Sequence, residues 1–125
     1  MEKLEITYVN LYVSDLDRAV NFFAKTLGLE VQFSEPKFGY ASIPAGPIRL
    51  GLAQIDPRDE KLSGLLGRQT GIGFVTPDLV RAHADLVARG VRFTMQPEKM
   101  QWGGFMAMFE DPDHNTFYLD EIRPA

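Results

Sequence analysis

The run Val13-Ser14-Asp15-Leu16-Asp17-Arg18-Ala19-Val20-Asn21-Phe22-Phe23, closed by Leu27-Gly28-Leu29, decides the fold because a second run answers it. That second run is Thr76-Pro77-Asp78-Leu79-Val80-Arg81-Ala82, closed by Arg89-Gly90-Val91. Each follows a strand-like segment, residues 6–13 in the first half and 71–76 in the second, and such internal likeness marks a repeated supersecondary unit. Both runs read as helices. Ser14 or Asp15 can accept from the unpaired amides of the first turn, and Leu16, Ala19, Val20, Phe23 and Leu27 share one helical face. Thr76 or Asp78 serves the second helix, with Leu79, Ala82 and Leu86 as its stripe, and Gly28 and Gly90 supply the left-handed stops.

Working outward, short apolar runs follow each helix: 31–33, 39–43 and 48–53 in the first half, then 91–95, 105–110 and 116–120 in the second. Turn residues separate them, notably Pro44-Ala45-Gly46-Pro47, Trp102-Gly103-Gly104 and Asp111-Pro112-Asp113-His114-Asn115. The sequence therefore predicts an α+β chain, one domain over 1–125 built from two βαβββ modules. Module 1 spans about 4–53, a charge- and glycine-rich linker about 54–70, and module 2 about 71–122.

Each module is expected to lay its helix on one face of a curved sheet, leaving the other face concave. Alternation assigns the side chains, since neighbours along a strand leave on opposite sides. Val9, Leu11 and Val13 go to the helix, which leaves Tyr8, Asn10 and Tyr12 for the concave face. Ile48, Leu50 and Leu52 leave Arg49 and Gly51, while Phe117 and Leu119 leave Thr116, Tyr118 and Asp120.

Composition bounds the function. The chain has 125 residues, 45% of them hydrophobic and 24% charged, which suffices for one core without a disulfide or structural metal. With no cysteine, thiolate metal sites, redox pairs and cysteine nucleophiles are excluded, and a reducing, cytoplasmic setting is expected. The first residues hold no apolar run of the signal-peptide type, and no stretch approaches the ~18 apolar residues of a membrane span. A net charge of -4 with scattered basic residues gives no footprint for nucleic acid, so neither nucleic acid nor membrane is expected as a partner.

The βαβββ repeat, the Val13 to Phe23 run, the Leu27-Gly28-Leu29 stop and the Asp111-Pro112-Asp113-His114-Asn115 turn together resemble the glyoxalase, bleomycin-resistance and extradiol-dioxygenase superfamily over essentially the whole chain. The resemblance implies two βαβββ modules with curved mixed sheets forming a concave cleft, frequently completed across a homodimer, in which catalytic members hold a divalent metal. The family's His or Glu ligands fall here on Tyr8, Arg49, Ile72 and Tyr118, with Gly71 replacing Ile72 if Asp15 is aligned with Asp78. None of these suits a divalent cation. Such ions need imidazole, thiolate or carboxylate donors, and a guanidinium that stays protonated repels them. No metal and no cofactor are therefore expected, and the departure tells against the family's metal-dependent isomerisation, ring-opening dioxygenation and thiol transfer.

The candidate ligand-binding residues are Tyr8, Asn10, Tyr40, Arg49, Trp102, Met106 and Tyr118; no catalytic residue is assigned. The tyrosines with Asn10 offer aromatic faces and phenol donors suited to a flat organic ligand, or simply fill a core. Arg49 needs either a carboxylate such as Asp120 or Glu110, or an anionic group on a ligand. Trp102 resembles the stacking residues that drug-binding members place at the cleft mouth, with a dimer contact as the competing role. Met106 and Met108 would give adaptable lining on the concave face, with core packing the expected role of at least one. His114 reads as a turn residue and His83 as a half-buried helix residue. Gly71-Ile72-Gly73 is too short for a dinucleotide fingerprint.

The resulting expectation is a homodimeric, metal-independent protein that binds a small planar or antibiotic-like molecule without turnover, resembling bleomycin-resistance proteins. Two enzymatic alternatives stand beside it. One is a metal-dependent glyoxalase- or dioxygenase-type lyase or oxidoreductase with ligands elsewhere, and the other a metal-free enzyme using a tyrosine as acid or base.

Overall fold

The structure, a computed structural model, describes residues 1–122. The chain divides into two compact units after Leu66. In the first unit, strand β1 (Tyr8–Val13) leads into helix α1 (Leu16–Asn21), and β2 (Phe33–Glu35), β3 (Tyr40–Ala45) and β4 (Ile48–Gln54) follow. In the second, β5 (Gln69–Thr76) leads into α2 (Leu79–Ala88), then β6 (Arg92–Lys99), β7 (Phe105–Glu110) and β8 (Thr116–Glu121). The two sheets have the same topology, β1-β4-β3-β2 and β5-β8-β7-β6, each with one parallel pair, β1 with β4 and β5 with β8.

The helix starts resolve in favour of the aspartates. Asp15 Oδ1 accepts from the Arg18 amide at 3.0 Å and Asp78 Oδ1 from the Arg81 amide at 3.1 Å, each satisfying a donor that the first turn leaves orphaned. The stops at Gly28 and Gly90 have φ of 77° and 89°, backbone that a Cβ disfavours. Between Asn21 and Gly28 the first helix widens into a π-helical turn over Phe22–Thr26, where the Leu27 amide reaches the Phe22 carbonyl. The widened turn brings two consecutive side chains, Phe22 and Phe23, into the core edge to face, with ring centroids 5.2 Å apart. A regular 3.6-residue period placed only Phe23 there.

Alternation holds in the sheets. Leu11, Val13, Leu50 and Leu52 are buried under the first helix, and Phe117 and Leu119 in the second unit. Val9 departs from the expectation and stays half-exposed, at the start of β1. Phe74, Phe93, Phe109 and Phe117 form an aromatic core in the second unit, with successive centroids 5.4 to 5.8 Å apart. Area burial of such rings is the main driving force, and their tilted geometry adds about 0.5–1.5 kcal/mol per pair.

The turn between β7 and β8 is built on a buried polar pair. Asp111 Oδ1 accepts from the amides of Asp113 and Asn115, each at 2.9 Å, and Asn115 Nδ2 donates to Asp111 Oδ2 at 3.0 Å. Asn115 Oδ1 in turn accepts from the amides of Gly67 and Arg68, tying the start of the unit to its last hairpin. His114 occupies the left-handed position with φ 66°, the turn role that its sequence context suggested. No helix among the described residues is long and apolar enough to cross a membrane.

Candidate functional site

On the open face of the first sheet, strand pairing sets Tyr8 beside Arg49 and Asn10 beside Gly51. The Arg49 guanidinium lies over the Tyr8 ring, 5.0 Å from its centroid, a cation–π contact on an exposed surface. One strand further, Tyr40 Oη donates to Asn10 Oδ1 at 3.0 Å. Gly51 makes this bond possible: a Cβ there would collide with both the Tyr40 hydroxyl and the Asn10 amide oxygen. Four of the candidate residues are thus brought together in pairs. Sequence reading placed Gly51 on this face but missed its role as the floor beneath the hydrogen bond, which only the cross-strand register reveals.

In the second unit Tyr118 pairs with Gly73 on one side and Met108 on the other, while Asp120 lies between Val75 and Met106. Met106 and Met108 both flank the open face, opposite the buried Ala107 and Phe109, so neither is committed to the core. On β5 the resemblance offered Ile72 or Gly71. Ile72 and Phe74 alternate to the more buried side of β5, and Gly71 and Gly73 occupy the open side. Gly71 has φ 73°, and a register irregularity separates Gln69 from Gly73.

The Glu110 carboxylate meets His114 Nδ1 at 3.0 Å and Arg92 Nε at 3.5 Å, both within its own unit. His83 lies against the Phe93 ring, centroids 4.5 Å apart, in the half-buried helix role expected of it.

Trp102 sits at the tip of the β6–β7 hairpin, 65% exposed, with its six-membered ring laid over the α-carbon of Gly104, where a Cβ would strike it. It borders a hollow of about 310 Å³ whose other walls include Val75, Phe105, Asp120, Glu121 and Ile122. Asp120 Oδ1 is buried there without a hydrogen-bond partner. Phe105, Glu121 and Ile122 were not singled out from the sequence. Glu121 in particular has no alternation signal to mark it, since it ends the strand and reaches back to the helix start, where its Oε2 accepts from the Leu79 amide at 3.1 Å.

The donor set does not fit a divalent metal. The positions to which the resemblance assigns metal ligands carry a phenol at 8, a guanidinium at 49, isoleucine at 72 or glycine at 71, and a phenol at 118, none of them a donor for such an ion, and no group of three His, Cys, Asp or Glu among the described residues could hold one.

Two sheets of identical, βαβββ-derived strand order, each with a helix on one face and aromatic and polar side chains on the other, define the vicinal-oxygen-chelate class of small-molecule proteins. Residues 5–119 match the Glyoxalase/Bleomycin resistance protein/Dioxygenase superfamily, and the chain belongs to it. A solved member of that superfamily from Sphaerobacter thermophilus DSM 20745 shares 32% identity and a TM-score of 0.77, over 96% of this chain and 98% of that one. The uncharacterized protein YraH of Bacillus subtilis (strain 168) is 28% identical, covering 93% of this chain and 97% of its own. A lactoylglutathione lyase from Agrobacterium tumefaciens has the same fold at 20% identity and a TM-score of 0.72, over 96% and 95% of the two chains.

Proposed function

We propose that this chain binds a small planar organic molecule without a metal and without turnover, in the manner of bleomycin-resistance proteins. The observation that carries the reading is the hollow beside Trp102: a concavity with largely apolar walls and a few polar groups is the usual form of a small-molecule site. Its aromatic lining presents a flat face at low entropic cost. The unsuitability of Tyr8, Arg49, Gly71, Gly73 and Tyr118 as metal donors supports binding over the family's metal chemistry. A homodimer is the expected state, which light scattering checks.

Trp102 is the only tryptophan and reports directly on the hollow. Titrating purified, chelator-dialysed protein with a panel of two- and three-ring planar compounds should change its emission, saturably and at one site per chain. Incubation should return each compound unaltered by mass spectrometry. Stoichiometric metal retained after dialysis, or conversion of a bound compound, would replace this reading with an enzymatic one.

A further inference from the structure

The open face of the first sheet carries a charge that its own contacts hold in place without neutralising. Register puts Arg49 in one row with Tyr8, and Asn10, Gly51 and Phe33 in the next, all on this side of the sheet. Arg49 is exposed, and among the described residues its guanidinium makes neither an ion pair nor a hydrogen bond, only the contact with the half-exposed Tyr8 ring. A π-face attracts the cation but is no carboxylate, so the N–H fork stays available. The one carboxylate on this side of the four strands, Glu35, stands opposite Tyr40, roughly 16 Å from Arg49 between α-carbons at ordinary strand spacings, which is too far to answer it. Asn10 gives its Oδ1 to the Tyr40 hydroxyl, so the end of the amide left over is the donor end. At the far end of the same row Phe33, on the edge strand β2, is 49% exposed.

A positive fork, an amide donor and an exposed ring on one surface have a specific complement, an anion that carries an aromatic group. Arginine takes a carboxylate through two parallel charge-assisted N–H bonds, and a phenyl ring offers an apolar partner to a second ring. Arg49 and Phe33 stand two strands apart and two residues out of step, roughly 12 Å between α-carbons, a span that one or two fused rings bearing a carboxylate can bridge once both side chains lean inwards. We infer that the open face of the first sheet binds a small aromatic acid, its carboxylate paired with Arg49 and its ring against Phe33. The site shares no residue with the hollow of the second unit and does not rest on the reading of that hollow.

Amide NMR titration of the isotope-labelled full chain with 2-naphthoate, 2-naphthylmethanol and acetate tests this. The naphthoate should bind saturably, move the backbone amides of Asn10, Phe33 and Arg49, and exceed both the ring-bearing alcohol and the ringless acetate by about tenfold or more. Arg49→Gln should bring naphthoate and alcohol to within about twofold of each other, and Arg49→Lys should recover only part of the preference, because an ammonium keeps the charge without the fork. Phe33→Ala should weaken both aromatic probes alike. Arg49 and Phe33 are exposed enough for these variants to fold, which an otherwise unchanged amide spectrum checks. An alcohol that binds as tightly as the naphthoate, a preference that survives in Arg49→Gln, or shifts confined to residues such as Val75 and Phe105 around the hollow overturns the inference and leaves the small-molecule reading standing. Failure of the naphthoate to bind the folded wild-type chain overturns it as well, while the hollow keeps its separate test in Trp102 emission.

Discussion

The two units share strand order, helix placement and capping chemistry, yet they treat their open faces in opposite ways. In the first unit the polar side chains answer one another: Tyr40 donates to Asn10 above Gly51, and Arg49 rests on Tyr8. In the second, Asp120 Oδ1 goes unanswered, glycines replace side chains at 71 and 73, and an exposed tryptophan borders a hollow. One repeat has used its concave surface to stabilise itself, and the other has left it unsatisfied. Groups that fold without partners are the usual mark of a site kept for a ligand, because binding surfaces are maintained at some cost to stability.

The largest effect expected from breaking this contrast lies in the buried turn of the second unit. Asp111, 4% exposed, accepts three hydrogen bonds, so Asp111→Ala strands buried donors and should destabilise the chain by about 2–4 kcal/mol, read from the urea midpoint. Burial pushes the Asp111 carboxyl above its usual range despite the hydrogen bonds from Asn115 and Asp113, which act the other way. A raised folded pKa means that the folded state holds the proton more tightly than the unfolded state. The contribution of this group is then fully present below the ordinary carboxylate value and declines as pH rises through the folded value. The stability gap between wild type and Asp111→Ala should therefore narrow between pH 3.5 and neutrality. A gap that widens over that range would contradict burial as the dominant cause.

Next in size is Gly51→Ala. The new methyl must displace Tyr40 and Asn10 together, losing their hydrogen bond and straining the strand pair, at about 1–3 kcal/mol in thermal or urea unfolding. Tyr40→Phe isolates the hydrogen bond from the steric term and should cost about 0.5–1.5 kcal/mol. If Tyr40→Phe were as damaging as Gly51→Ala, the collision at Gly51 would contribute nothing and the first face would be held by the hydrogen bond alone.

Periodicity made most of the fold legible. Leu11, Val13, Leu50, Leu52, Phe117 and Leu119 were assigned to the helix side by alternation, and all six are buried. What escaped was set by geometry that no linear pattern encodes. Phe22 enters the core because a π-helical turn changes the helical period locally. The candidate site was legible as a set of residues on open faces, but its division into a satisfied half and an unsatisfied half was not. Gly51, Gly104 and Glu121 matter through what they touch across strands or turns, and a glycine in sequence gives no sign of which ring or hydroxyl lies above it.

The smallest expected stability effects carry the comparison furthest. Arg49→Ala removes an exposed cation–π contact worth about 0.5–1 kcal/mol, and should lower the melting temperature only slightly. Asp120→Asn, on the matching face of the second unit, should go the other way. The carboxylate gains no hydrogen bond at Oδ1 and stands beside Glu121, so a neutral amide relieves charge without forfeiting a contact, and stability should hold or rise by up to about 1 kcal/mol. A folded chain that tolerates loss of a carboxylate better than loss of a surface arginine has no structural need for that carboxylate. A marked drop in the Asp120→Asn melting temperature would instead make Asp120 part of the scaffold, and the asymmetry between the two faces would lose its functional meaning.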